Sequence, residues 1–177
     1  MKKVIIREPK VLEDFVKAMK EVGCRIVVTI GSWDMLHIGH VRYLIEAKKK
    51  GDILIVGVDT DRAIKLYKGP LRPVVPEGER CEMLTYQDCV DVVTLVDDVD
   101  EKGVWQYGLL ETVNPDVFVA VVDSYPPEQL ADIKIRCGEL IILPRQAEDT
   151  STSNMIQNTL KKHLDLLYGI VQSGGRK

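Results

Sequence analysis

Two histidines three positions apart, His37 and His40, close the stretch Thr29-Ile30-Gly31-Ser32-Trp33-Asp34-Met35-Leu36-His37-Ile38-Gly39-His40. The stretch follows a strand-like run, Ile26-Val27-Val28, and precedes a helix-like run that begins at Val41. A turn at such a junction can set two imidazoles and several backbone N–H groups beside phosphate, because a helix N-terminus favours negative charge. Gly39 has no Cβ, so a nucleotide can approach the backbone there. The structural alternative is a tight loop whose histidines satisfy local hydrogen bonds. Further along, Lys65-Leu66-Tyr67-Lys68-Gly69-Pro70-Leu71-Arg72-Pro73 is basic and punctuated by proline. Beside phosphate, the Lys68 ammonium would offset charge that develops during transfer, and Arg72 would organise an anionic substrate. Surface lysine and arginine are the alternative reading.

These residues can meet only if the intervening chain builds a sheet. Apolar runs at residues 25–30, 52–58, 92–96, 116–122 and 140–143 read as strands. Amphipathic segments predict helices over residues 9–21, from Gly39 to Lys50, over 60–66, 77–88 and 101–112, and from Ser151 onward. Val11, Leu12, Phe15, Val16 and Met19 form the first helix's apolar face. Ile156, Leu160, Leu164 and Leu167 give the last helix a face expected to pack. The alternation predicts a Rossmann-like, doubly wound parallel α/β sheet. In such a sheet the loops leaving the strand C-terminal ends share one crevice, which brings distant segments together. The first junction lacks GxGxxG, and no GxxxxGK occurs, so dinucleotide and P-loop readings are weaker.

A length of 177 residues suits one domain, expected to span 1–170, with 171–177 as a flexible tail. The formal charge of −3 offers no general signal for nucleic acid, although a local positive pocket remains compatible with it. Cys24, Cys81, Cys89 and Cys137 lack compact metal-ligand spacing and read as thiols of a reducing compartment. No secretory or membrane-spanning segment is evident, so a cytoplasmic protein is expected.

The motif with His37, Gly39 and His40 resembles the HxGH signature of the cytidylyltransferase-like nucleotidyltransferases. Asp34 fits that family's GxFDxxHxGH pattern, with Trp33 in place of the usual phenylalanine. The resemblance implies the HxGH nucleotidyltransferase topology, with both histidines stabilising the triphosphate and the pentavalent state at the α-phosphorus. Lys68, with Arg72-Pro73, resembles the branch that activates heptose 1-phosphate. Glu79-Arg80 resembles the family's helix-borne arginine; an exposed salt bridge is the alternative. Pro144-Arg145 followed by Thr150-Ser151-Thr152-Ser153 resembles the arginine and Ser/Thr elements before the last helix. Hydroxyls there can cap the helix, grip β- and γ-phosphates with its N–H groups, or do both.

Residue by residue, the resemblance implies catalytic roles for His37, His40, Lys68 and Arg145. Nucleotide binding is expected of Thr29, Ile30, Gly31, Ser32, Trp33, His37, Gly39, His40, Arg80, Arg145, Thr150, Ser151 and Thr152. Substrate binding is expected of Asp34, Lys68, Arg72, Asp123 and Tyr125. The implied reaction transfers NMP from ATP or CTP to a small phosphorylated sugar or alcohol and releases pyrophosphate. Heptose-1-phosphate adenylyl transfer is the specific expectation, glycerol-3-phosphate cytidylyl transfer the alternative, and a non-catalytic nucleotide-binding regulator the reading from another class. Mg²⁺ would accompany the triphosphate, with no direct protein ligand assigned, and a homodimer is expected. Val121-Val122-Asp123-Ser124-Tyr125 departs from the heptose branch, which carries a KGxDY-like loop here. The departure bears on the acceptor more than on nucleotidyl transfer.

Overall fold

A computed structural model describes residues 3–148 and 150–174, with side chains as far as residue 171. Strands β1 (Val4–Ile5), β2 (Ile26–Gly31), β3 (Ile53–Asp59), β4 (Val92–Val96), β5 (Val117–Val121) and β6 (Glu139–Leu143) form one sheet, ordered β1-β4-β3-β2-β5-β6. Every pairing is parallel. The helices are α1 (Pro9–Glu21), α2 (Ile38–Lys48), α3 (Asp61–Lys68), α4 (Glu77–Thr85), α5 (Gly108–Val113), α6 (Pro127–Lys134) and α7 (Thr152–Gly174).

Helices cover both faces, which is why the central strands read as continuous apolar runs instead of alternating ones. Ile26, Val28, Ile55 and Phe118 pack on one side with Leu12 and Val16 of α1, Leu110 of α5 and Ile133 of α6. Val27, Leu54, Val56 and Val119 pack on the other with Tyr43 and Leu44 of α2 and Leu84 of α4. Val11, expected on the packed face of α1, is exposed. Strand order reverses around β2, whose neighbours are β3 and β5. The loop that leaves its C-terminal end is the HxGH turn, at the position where open α/β sheets place ligands.

Several elements differ from expectation. The helix expected over 101–112 begins only at Gly108. Asp100 Oδ1 accepts from the Lys102 and Val104 amides at 2.8 and 2.9 Å, and Gly103 and Tyr107 take left-handed φ of 81° and 60°. A carboxylate that supplies local acceptors competes with helical bonding. Helix α6 and the two-residue β1 add elements beyond those expected; Pro127 at its first turn suits an α6 start. The apolar row of α7 does not pack on the body: Leu160, Leu164 and Leu167 are exposed. Periodicity shows that a helix has an apolar face but not what covers it. Helix α7 continues to Gly174, and residues 175–177 of the expected tail lie outside the described residues. Among the described residues no helix is long and apolar enough to cross a membrane. All four cysteines are free thiols, with Cys81 buried.

Candidate active site

At the C-terminal ends of the strands lies a cleft of about 690 Å³, bounded by loops from β2, β3, β4, β5 and β6. The β2–α2 turn sets its histidines by local bonding. His37 is the N-cap of α2, and its Nδ1 accepts from the Gly39 amide at 3.1 Å. His40 Nδ1 accepts in turn from the His37 amide at 3.4 Å. With both Nδ1 atoms acting as acceptors, the ring protons reside on Nε2, and the pair presents neutral donors to a ligand. Their rings stack with centroids 3.9 Å apart. Burial lowers both pKa values; for His40, with the charges of His37 and Lys68 adding, it falls to about 4. A Cβ on Gly39 would meet His37 Cε1 at 3.0 Å and Ala147 Cβ at 3.1 Å, so glycine leaves room for the imidazole and for the β6–α7 loop.

Behind the histidines stands a buried support. Trp33 meets His40 edge-on at 5.5 Å and donates its indole N–H to Gly57 O at 2.8 Å. Thr29 bonds Tyr43 Oη at 2.7 Å and is buried outside the cleft wall. Ile30, Gly31, Ser32 and Trp33 do line the cleft.

The α3–α4 segment adds positive charge. Lys68 Nζ donates to Ser32 Oγ at 2.8 Å, and desolvation with the Arg72 charge lowers its pKa. Arg72 lines the cleft while its Nε donates to Asp34 Oδ2 at 2.8 Å. Asp34, expected at the substrate, is instead 0% exposed beneath the wall. It accepts from the amides of Val74 at 3.0 Å and Val75 at 2.9 Å as well as from Arg72, thereby tying the HxGH turn to the basic loop. Burial acts to raise its pKa, but those donors together hold it below the ordinary value.

Arg80, expected at the nucleotide, is likewise internal at 1% exposed. Its Nε donates to Val75 O at 2.9 Å, its Nη1 to Ser32 O, and its Nη2 to Asp59 O at 2.8 Å and Asp61 Oδ1 at 2.7 Å. A guanidinium with its donors thus engaged holds the ends of three loops together; it has little left for a ligand.

The remaining wall comes from β5 and β6. Asp123, at φ 65°, and Tyr125 line the cleft, and Tyr125 Oη donates to Ile30 O at 3.3 Å. Arg145 is exposed at the rim, and Thr150, Ser151 and Thr152 line the cleft beside it. Ser151 Oγ accepts from the Asn154 amide at 3.1 Å, and Thr152 Oγ1 donates to Asp34 O at 2.7 Å. The start of α7 is therefore both capped and fastened to the HxGH turn, with its first amides at the cleft.

Sequence reasoning missed Asp59, Tyr67, Asp98 and Trp105, which also line the cleft. Asp59 ends β3 and Asp98 follows β4, so their position at strand C-terminal ends was the available signal.

An HxGH turn at the switch point of a parallel sheet, facing a lysine loop and the N-terminus of a final helix, defines an α/β nucleotidyltransferase. The chain belongs to the cytidylyltransferase-like family, whose profile matches residues 28–159. It is 35% identical over 154 residues to the bifunctional protein HldE of Geobacter metallireducens, covering 86% of this chain and 30% of that protein. The corresponding protein of Geotalea uraniireducens is 36% identical over the same length, with the same coverage. The chain thus spans about a third of the length of these curated relatives. Among solved structures, a lipopolysaccharide core biosynthesis protein from Thermoplasma volcanium aligns with TM-score 0.57 and 28% identity, over 72% of this chain and all of that one. Pantoate-beta-alanine ligase from Francisella tularensis shares the fold at TM-score 0.58 and 15% identity, over 82% of this chain and 68% of that one.

Proposed function

We propose that the protein transfers an adenylyl group from ATP to heptose 1-phosphate, releasing pyrophosphate. The observation that carries nucleotidyl transfer is the stacked pair His37 and His40, with both Nδ1 atoms accepting so that the ring protons sit on Nε2, in a cleft that Lys68 and Arg145 also face. The specific acceptor rests on the likeness of Lys68-Gly69-Pro70-Leu71-Arg72-Pro73 to the heptose-activating branch and on the lipopolysaccharide core biosynthesis relative. Cytidylyl transfer from CTP to glycerol 3-phosphate is the alternative.

The acceptor's phosphate is already ionised, so its oxygen attacks the α-phosphorus in line without a strong base, and pyrophosphate leaves with the electron pair of the broken bond. His37 and His40 donate to nonbridging and bridging oxygens, and Lys68 offsets charge as it builds. Arg145 and the first amides of α7 hold the β- and γ-phosphates. Among the described residues no group of three or more His, Cys, Asp or Glu could hold a metal. Mg²⁺ would accompany the triphosphate and supply charge neutralisation at its oxygens.

A homodimer is proposed through α7. Leu160, Leu164, Leu167 and Val171 are exposed at spacings of four, three and four, the seam that a second copy of the same helix would cover.

The test is a pyrophosphate-release screen with Mg²⁺, crossing ATP, CTP, GTP and UTP with heptose 1-phosphate, glycerol 3-phosphate and other small phosphates. Acceptor-dependent release that disappears in His40→Ala is expected. Triphosphate binding without release for any acceptor would replace transfer with the nucleotide-binding regulator.

A further inference from the structure

The cleft is divided by charge. Toward β6 and α7 it presents donors: the imidazoles, Arg145 and the start of α7. Toward β3 and β4 it presents two carboxylates, Asp59 and Asp98, with Tyr67 and Trp105. Phosphates held beside those carboxylates would be repelled, so the polyphosphate belongs over the histidines and Lys68. What remains for the β3–β4 end is an uncharged part of the acceptor.

Its chemistry suits a ring bearing several hydroxyls. Asp59 accepts the Tyr67 hydroxyl on Oδ2 at 2.5 Å, burial raises its pKa, and its carboxyl group keeps further hydrogen-bonding capacity for ligand hydroxyls. Trp105 lines the cleft as part of an aromatic cluster, with Tyr125 stacked on it at 5.5 Å and 24° between the planes and Tyr107 tilted against it at 4.3 Å, and the cluster gives this end an apolar wall. The Trp105 orientation is held from behind: Asp98 Oδ2 accepts its indole N–H at 3.0 Å and the Leu109 amide at 3.3 Å. A sugar has this same division, hydroxyls around a rim and C–H groups across a face. An open three-carbon alcohol has no such face to lay on the indole.

We infer that Asp59 and Trp105 form the pocket that selects a cyclic polyhydroxylated acceptor, with Asp98 as the residue positioning the indole. The inference rests on the proposed nucleotidyl transfer and adds the residues that discriminate among its acceptors.

Asp59→Asn keeps the shape and removes the charge; Trp105→Leu keeps apolar volume and removes the flat face. For each, acceptor KM is measured with heptose 1-phosphate and with glycerol 3-phosphate. The Kd of a non-hydrolysable ATP analogue with Mg²⁺ is measured separately by calorimetry, and thermal unfolding checks the fold. The expected result is a rise in heptose 1-phosphate KM of about ten- to a hundredfold for Asp59→Asn, the range for a lost hydrogen bond to a charged group, and of about tenfold for Trp105→Leu, the upper range for a lost aromatic contact. Glycerol 3-phosphate KM and nucleotide Kd should stay within about twofold, about a fifth or less of the effect expected for the ring. Weakened nucleotide binding with an unchanged acceptor KM would overturn the inference and give this end to the base. Unchanged values throughout would also overturn it. If the unsubstituted protein releases no pyrophosphate with any acceptor, the transfer reading fails by itself. Direct calorimetric binding of heptose 1-phosphate, lost in Asp59→Asn, then decides the pocket.

Discussion

Acidification probes the protonation state on which the proposed role of the histidine pair depends. Burial, with His37 and Lys68 beside it, takes His40 from an ordinary 6.5 down to about 4. In the unfolded chain the same imidazole protonates near its ordinary value. Between about 4 and 6.5 the unfolded state therefore holds more protons than the native one, and stability rises with pH across that window. The contribution is complete above the unfolded value and is lost as pH falls below it. For these two values, linkage removes about 2 kcal/mol between about pH 7.5 and about pH 5. His37, also lowered by burial, acts in the same direction. Urea unfolding at the two pH values should show this loss in the unsubstituted protein and a loss smaller by about 2 kcal/mol in His40→Gln, which hydrogen-bonds without titrating there. Nitrogen-15 NMR of the imidazoles reads the same state directly, with a neutral Nε2–H tautomer at neutral pH. Parallel pH dependences in the two proteins, or a His40 midpoint at or above its ordinary value, would refute the reasoning.

Arg80→Met should lower stability by about 3–5 kcal/mol, because it leaves three carbonyls without their donor and breaks the ion pair of a buried guanidinium with half-buried Asp61; urea denaturation measures it. Arg80→Lys should not restore it, since an ammonium cannot reproduce the planar fork, and a loss below about 1 kcal/mol would contradict the internal role. Asp34→Asn presents an amide to donors that now meet a carboxylate and should cost about 2 kcal/mol or more in chemical denaturation. Because Asp34 titrates below its ordinary value, its contribution is present above that value and fades as pH falls through the native one; a variant with unperturbed stability would count against the hub. Light scattering should find a dimer that becomes a monomer in the double substitution Leu164→Glu and Leu167→Glu. A monomer already in the unsubstituted protein would remove α7 as an interface.

The strands were readable because β3 runs apolar from Ile53 to Val58 and is buried on both faces, which leaves its pattern continuous. The HxGH turn was readable because its contacts are local: His37 bonds Gly39 and His40 bonds His37 within four residues. The β4–α5 segment was misread because the apolar residues of 101–112 say nothing of Asp100 bonding two following amides.

Resemblance to the family's motifs marked Asp34 and Arg80 as functional without showing which way they face. That direction depends on partners far along the chain, such as the Val75 amide for Asp34 and the carbonyls of Ser32 and Asp59 for Arg80. Long-range bonds of this kind exist only once β2, β3 and the α3–α4 loop are side by side. The acidic and aromatic end of the cleft arises likewise from loops after β3, β4 and β5, each unremarkable by itself. Residue identity, local spacing and the family resemblance they carry were thus sufficient for a nucleotidyltransferase and the sheet that supports it. Tertiary packing decided which charges turn inward, which acidic and aromatic residues share the cleft, and that the apolar face of α7 is left exposed on this chain, because those outcomes depend on neighbours that spacing along a chain does not specify.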